Sequence, residues 1–99
     1  MKQGSVGQPF YFRMLNRETE EPIDLTDIKD PQLNMRLRGV ISVKDMEIED
    51  ADGGILLYVL GEDDLHSRGI LSMTPQITTA DDVVCLGDTV RLRIKGMFD

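Results

Sequence analysis

The chain has 99 residues, 40% hydrophobic and 29% charged, with a formal charge of −7. This composition fits one folded domain spanning residues 1–99 and excludes a disordered chain; the acidic balance excludes nucleic acid or an anionic membrane as main partner, because both demand a basic surface. The single cysteine, Cys85, excludes an internal disulfide and a multi-cysteine metal site, and no apolar run approaches the ~20 residues that cross a bilayer.

The opening Met1–Gly7 lacks the apolar stretch of a secretory leader, so synthesis in a cytoplasm is expected. From there the apolar period is two. Phe10, Phe12 and Met14 share one face of a strand, with Tyr11 and Arg13 on the other. A turn follows at Asn16–Pro22. Leu33, Met35 and Leu37 then alternate with Asn34, Arg36 and Arg38, up to a turn at Gly39. In VISVKDMEIED, Ile41 and Val43 fall on odd positions but Met46 and Ile48 on even ones. The register therefore flips near Lys44–Asp45, which requires a bulge or a turn.

Asp52-Gly53-Gly54 predicts the next turn, and the run Ile55–Leu60 a central strand buried on both faces. Gly61–Gly69 is a polar connection. GILSMTPQIT predicts a strand in which Pro75, lacking an N–H, demands an edge or a bulge. DVVCLGD adds a short strand closed by Gly87. Val90, Leu92 and Ile94 alternating with Arg91, Arg93 and Lys95 give the clearest strand of all. The total is about seven strands with no amphipathic helix, an all-β antiparallel sandwich or small barrel. With no Trp and five percent aromatics, the core must rest on Leu, Ile, Val and six adaptable Met.

Two acidic clusters invite a chemical reading. Glu62, Asp63, Asp64 and the sole histidine, His66, offer metal-ligating atoms, yet match no common ligand spacing and stand near no nucleophile. A solvated connection with Leu65 tucked inward explains them more simply. Glu49, Asp50 and Asp52 beside Gly53 have oxygens for calcium. But Glu47 and Glu49 alternate with Met46 and Ile48, as on the wet face of a strand, and Arg36, Arg38, Arg91, Arg93 and Lys95 offer cross-strand partners. Cys85 lies in an apolar run and reads as an inert, buried thiol. No catalytic residue, cofactor or metal ligand is assigned, and no enzyme activity is expected.

Four short pieces occur in a telling order: KQGSVGQPFYFRML, EPIDLTD, DGGILLYVLGEDDLHSRG and TPQITTADDVVCLGDTVRLRIKG. Together they resemble the immunoglobulin-like N-terminal domain of phage upper baseplate proteins. The resemblance lies in Gln3-Gly4 before the aromatic strand Phe10-Tyr11-Phe12, and in Pro22-Ile23-Asp24-Leu25-Thr26. It continues with Gly54 leading into Tyr58-Val59-Leu60, Gly69 closing a loop, and a final alternating strand, Val90–Lys95. It departs from the family in Lys29–Val43, where the pattern is not clear. Family members continue into a stalk or receptor-binding part where this sequence stops at Asp99, so either a stand-alone adaptor or one domain of a longer protein is expected.

This resemblance implies a single antiparallel immunoglobulin-like β-sandwich that serves as a structural and assembly module of a phage or prophage tail baseplate. Its partners would be other tail or baseplate proteins, with a homo-oligomer compatible. It would be made in the bacterial cytoplasm and end in the virion tail. Interface candidates are the N-terminal arm and the outer side of the first strand, namely Gln3, Phe10, Tyr11 and Phe12. The competing expectation is a carbohydrate-binding sandwich contacting host cell-wall glycan, which the absence of Trp and the presence of two Tyr disfavour.

Overall fold

The computed structural model describes residues 1–98. These residues form eight strands and no helix: β1 (Pro9–Arg13), β2 (Lys29–Leu37), β3 (Val40–Asp45), β4 (Glu47–Asp50), β5 (Ile55–Val59), β6 (Gly69–Thr78), β7 (Val84–Leu86) and β8 (Val90–Ile94). They build two antiparallel sheets, one in the order β1-β5-β4. The other runs β3-β2-β6, and β7 and β8 both pair with the far side of β6.

The two sheets bury a shared core because each strand presents one apolar face inward. Leu33, Met35 and Leu37 of β2 meet Leu71, Met73 and Ile77 of β6, and Ile94 of β8 joins them. From the smaller sheet come Phe12 and Leu56, with Met14, Leu25, Leu60 and Leu65 supplied by flanking segments. Methionines thus fill the junction between sheets, where an unbranched thioether adapts to irregular space.

The chain does break near Lys44–Asp45, where it changes sheets, but the expected flip of faces does not occur, since Ile41 and Val43 are exposed and the even positions Lys44 and Met46 turn inward. β3 ends at Asp45, Met46 is buried with its N–H bonded to Pro31 O (2.9 Å), and β4 begins in the other sheet. Pro75 sits in an interior strand, at a bulge. Between the pairs Met73↔Val90 and Gln76↔Leu86, two residues of β6 face three, Gly87 to Thr89. Pro75 has no N–H to leave unpaired there, and its carbonyl accepts from Gly87 N–H at 2.8 Å. The run Ile55–Leu60 is covered on one face only. Leu56 and Leu60 are fully buried, whereas on the other face Ile55 and Leu57 are half-buried and Val59 is exposed. Cys85 is half-buried against the core and unpaired by any disulfide.

Two of the turns with a left-handed backbone differ in how tightly they are constrained. Arg38 (φ 51°) and Gly39 (φ 80°) form the two-residue loop between the paired ends Leu37 and Val40, the geometry that matches strand twist. Gly54 (φ 69°) is more constrained, because three backbone segments converge on it. Met14 N–H bonds to Gly54 O at 2.7 Å, and a Cβ on Gly54 would lie 2.7 Å from Met14 O and 2.9 Å from Ile23 O. A Cβ on Gly39 would meet nothing within 4 Å. Gly39→Ala should therefore cost only the left-handed penalty, about 1–2 kcal/mol. Gly54→Ala adds a backbone clash and should cost distinctly more, about 3 kcal/mol or above. Urea unfolding of the two variants checks the order.

Candidate functional site

The stretch Gly61–Arg68 leaves the smaller sheet at the end of β5 and enters the larger one at β6. Of its charged residues, one is buried. The Asp64 side chain is 3% exposed, whereas Glu62, Asp63 and His66 face solvent. Asp64 is held there by two hydrogen-bond donors and a nearby cation. Gly61 N–H reaches Oδ2 at 2.7 Å, the Tyr58 hydroxyl donates to the same oxygen, and Lys44 Nζ stands 3.4 Å from Oδ1.

These partners come from three places. Tyr58 lies on β5 of the smaller sheet and Lys44 on β3 of the larger one, with Gly61 in the loop between. Lys44 pairs in register with the fully buried Leu33, so it projects to the core side of its strand. A charged residue turned inward on an edge strand is a recognised means of blunting that edge, and here it also meets a buried carboxylate. Burial, reinforced by the hydrogen bond and negative charge of Asp64, pushes the Tyr58 hydroxyl well above its ordinary range.

Around this clasp the remaining polar groups are tied to backbone. Gln3 Nε2 donates to His66 O at 3.0 Å, and the backbone of Gln3 and Gly4 bonds to Lys95 O and Leu65 O at 2.8 and 3.0 Å. His66 Nδ1 lies 3.3 Å from Ser67 Oγ. A shallow cavity of about 390 Å³ is lined by Gln3, Glu62, Asp63 and His66 with apolar neighbours. Among the described residues no group of His, Cys, Asp or Glu is arranged to hold a metal ion. The second acidic cluster is likewise local. Asp50 Oδ1 accepts Gly53 N–H at 3.1 Å and fixes the turn into β5. Upstream, the Thr26 hydroxyl and amide both donate to Asp24, which lowers its carboxyl below the usual range.

The four interface candidates separate. Phe12 is a core residue at 6% exposure and Phe10 packs against the core, while Gln3 is half-buried with its side-chain amide engaged. Tyr11 points outward at 61% exposure. It is the residue of the four whose side chain is free to meet a partner.

The expected pairing of Glu47 and Glu49 with the arginines does not form. The glutamates lie on β4 of the smaller sheet, and the arginines on β2, the β2–β3 turn and β8 of the larger one. Ion pairs among the described residues are Arg17–Asp88, Lys29–Asp82 and Lys44–Asp64, none on that basic face. Both Lys44 and the selective burial of Asp64 escaped the sequence. The sequence pointed the other way, because the apolar pattern of this strand sits on Ile41 and Val43, which the structure turns outward, and leaves Lys44 on the inward face.

Comparison with protein-family models, curated proteins and solved structures finds no match.

Asp64→Ala leaves the Tyr58 hydroxyl, the Gly61 amide and the Lys44 charge without their acceptor. It should cost about 2–4 kcal/mol, and Tyr58→Phe about 1 kcal/mol. Chemical denaturation of both singles and the double variant measures their coupling. The folded protein holds the Tyr58 proton more tightly than the unfolded chain does. Stability from this group is therefore fully present below about pH 10, the ordinary tyrosine value. It is lost as pH climbs toward the raised folded value, and Tyr58→Phe should flatten the loss in a pH series of melts.

Proposed function

We propose that this chain is a structural and assembly module of a phage or prophage tail baseplate, an immunoglobulin-like sandwich that works through protein–protein contacts. The observation that carries the reading is the order of its motifs. The Gln-Gly pair, the aromatic strand, the Pro-x-Asp-Leu-Thr element, the strand ending Tyr-x-Leu and the last alternating strand follow one another as in that family.

The physical surroundings of these motifs support it. Leu25 of the Asp-Leu-Thr element is fully buried, and Asp24 shapes its turn through Thr26. Tyr58 of the Tyr-x-Leu strand anchors Asp64. The outer faces of both sheets carry exposed side chains, among them Tyr11, Ile41, Val43, Ile70 and Val59. Docking at an outer face would bury on the order of 1,200–2,000 Å² in total, with an aromatic anchor at its centre. Tyr11 supplies such an anchor on the smaller sheet. A glycan could use the same ring for stacking, but one exposed tyrosine provides a single platform.

Tyr11→Ala should weaken a neighbouring tail protein's binding about tenfold or more while leaving the melting temperature within a few degrees. Phe12→Ala should instead destabilise the fold by about 3–5 kcal/mol. Co-purification and titration with proteins encoded beside this chain test the pair of expectations. Absence of any such partner, with specific saturable binding on a glycan array, would sink the assembly reading.

A further inference from the structure

The outer face of the larger sheet concentrates positive charge in an acidic protein. Register places Ile41, Arg36, Ser72 and Arg91 side by side across β3, β2, β6 and β8. One step toward the end of the sheet, Ile70 pairs with Arg93, and Arg38 follows Leu37 in the hairpin turn. There Arg38, Arg68, Arg93 and Lys95 line a cavity of about 400 Å³ together with Gly69, Ile70 and Ile94. No carboxylate lines it. Arg36, Arg38, Arg68, Arg91, Arg93 and Lys95 are all exposed, and among the described residues none makes an ion pair.

Like charges held this close repel, so the face is costly unless something neutralises it. Edge protection does not account for it, because Arg36 lies on β2, an interior strand. The complementary charge exists on the same chain but on the other sheet. Glu47 and Glu49 on β4 are exposed and unpaired among the described residues, and β4 is the free edge of the smaller sheet. A bulge between Ile48 and Asp50 sets Glu49 and Asp50 together against Ile55, thickening the negative charge there. Within one molecule the two packed sheets keep these groups apart.

We infer that the arginine face of one copy receives the acidic β4 edge of a second copy. Arg91 and Arg93 lie two residues apart along a regular strand and so repeat at roughly 6–7 Å, and Glu47 with the bulged Glu49 presents two carboxylates within the same short reach of β4. Arginine forks grip carboxylates bidentately, which favours this pairing over a diffuse attraction. The contact joins two different patches, so it is heterologous and builds a ring or an open string of copies. The inference rests on charge placement alone and stands or falls separately from the tail reading.

Sedimentation equilibrium of the full chain in about 50 mM and about 500 mM NaCl tests it, since salt screens such contacts. The expected result is a mass above the 11.2 kDa monomer at low salt that falls to the monomer at high salt. The double variants Arg91→Glu/Arg93→Glu and Glu47→Lys/Glu49→Lys should each be folded by circular dichroism and monomeric alone. Mixed together they should associate again, because each supplies the surface the other lacks. A chain that stays monomeric at low salt overturns the inference, even if it then binds a poly-glutamate peptide. So does association indifferent to salt, or a mixture of the two variants that remains monomeric.

Discussion

A carboxylate removed from water must be given donors, and at Asp64 this requirement ties three parts of the chain together. Tyr58 holds it from the smaller sheet, Lys44 from the larger, and the Gly61 amide from the loop that joins them. An unpaired charge in such a place would cost several kcal/mol, so these three partners cannot drift independently. Their agreement sets the path of residues 61–68, drives Leu65 into the core and leaves His66 O where Gln3 can reach it. The N-terminal segment is then fastened to the last strand, through Gln3 N–H to Lys95 O and Lys95 N–H to Met1 O. A stretch that looks reactive in the sequence acts as a clasp between sheets.

The clasp also explains the division of labour among like residues. Glu62, Asp63 and Asp64 are adjacent and chemically near-equivalent, yet only Asp64 is buried. Asp63 takes a left-handed backbone (φ 65°), and this bend turns the following carboxylate back toward the Gly61 amide. Nothing in the composition of the stretch distinguishes the three. What distinguishes them is the position of β3, which is distant in sequence and delivers Lys44.

Strand positions were largely legible because a two-residue period is a local property. The alternations of Phe10–Met14, Leu33–Leu37 and Val90–Ile94 reappear as inward faces of β1, β2 and β8. Pro75 marked its bulge, whereas the apolar Ile41 and Val43 suggested a face that the structure turns to solvent, so the break at Met46 was legible but its orientation was not. Which strands lie side by side was not legible. β6 pairs with β2 on one side and with β7 and β8 on the other, and these neighbours are decided by long-range packing. The same gap misplaced the charges. Arg36 and Arg91 come together across Ser72, while Glu47 and Glu49 go to the other sheet, although all four charges seemed suited to one another. Ile55–Leu60 misled for a related reason, since an apolar run does not reveal whether a second layer covers its outer side.

Both sheets therefore end with outer faces that differ in character, Tyr11 with acidic β4 on one and arginines with aliphatics on the other. A molecule built in this way offers its chemistry as surfaces, and those surfaces hold their geometry only if the sheets stay clasped. Amide hydrogen exchange at Gly61 tests that dependence most directly, because this N–H is satisfied by Asp64 rather than by a strand. If the clasp opens only when the whole protein unfolds, Gly61 should exchange as slowly as the core amides of Leu71 and Met73. Exchange of Gly61 at the rate of its exposed neighbours Glu62 and Asp63, with β6 still protected, would contradict the account.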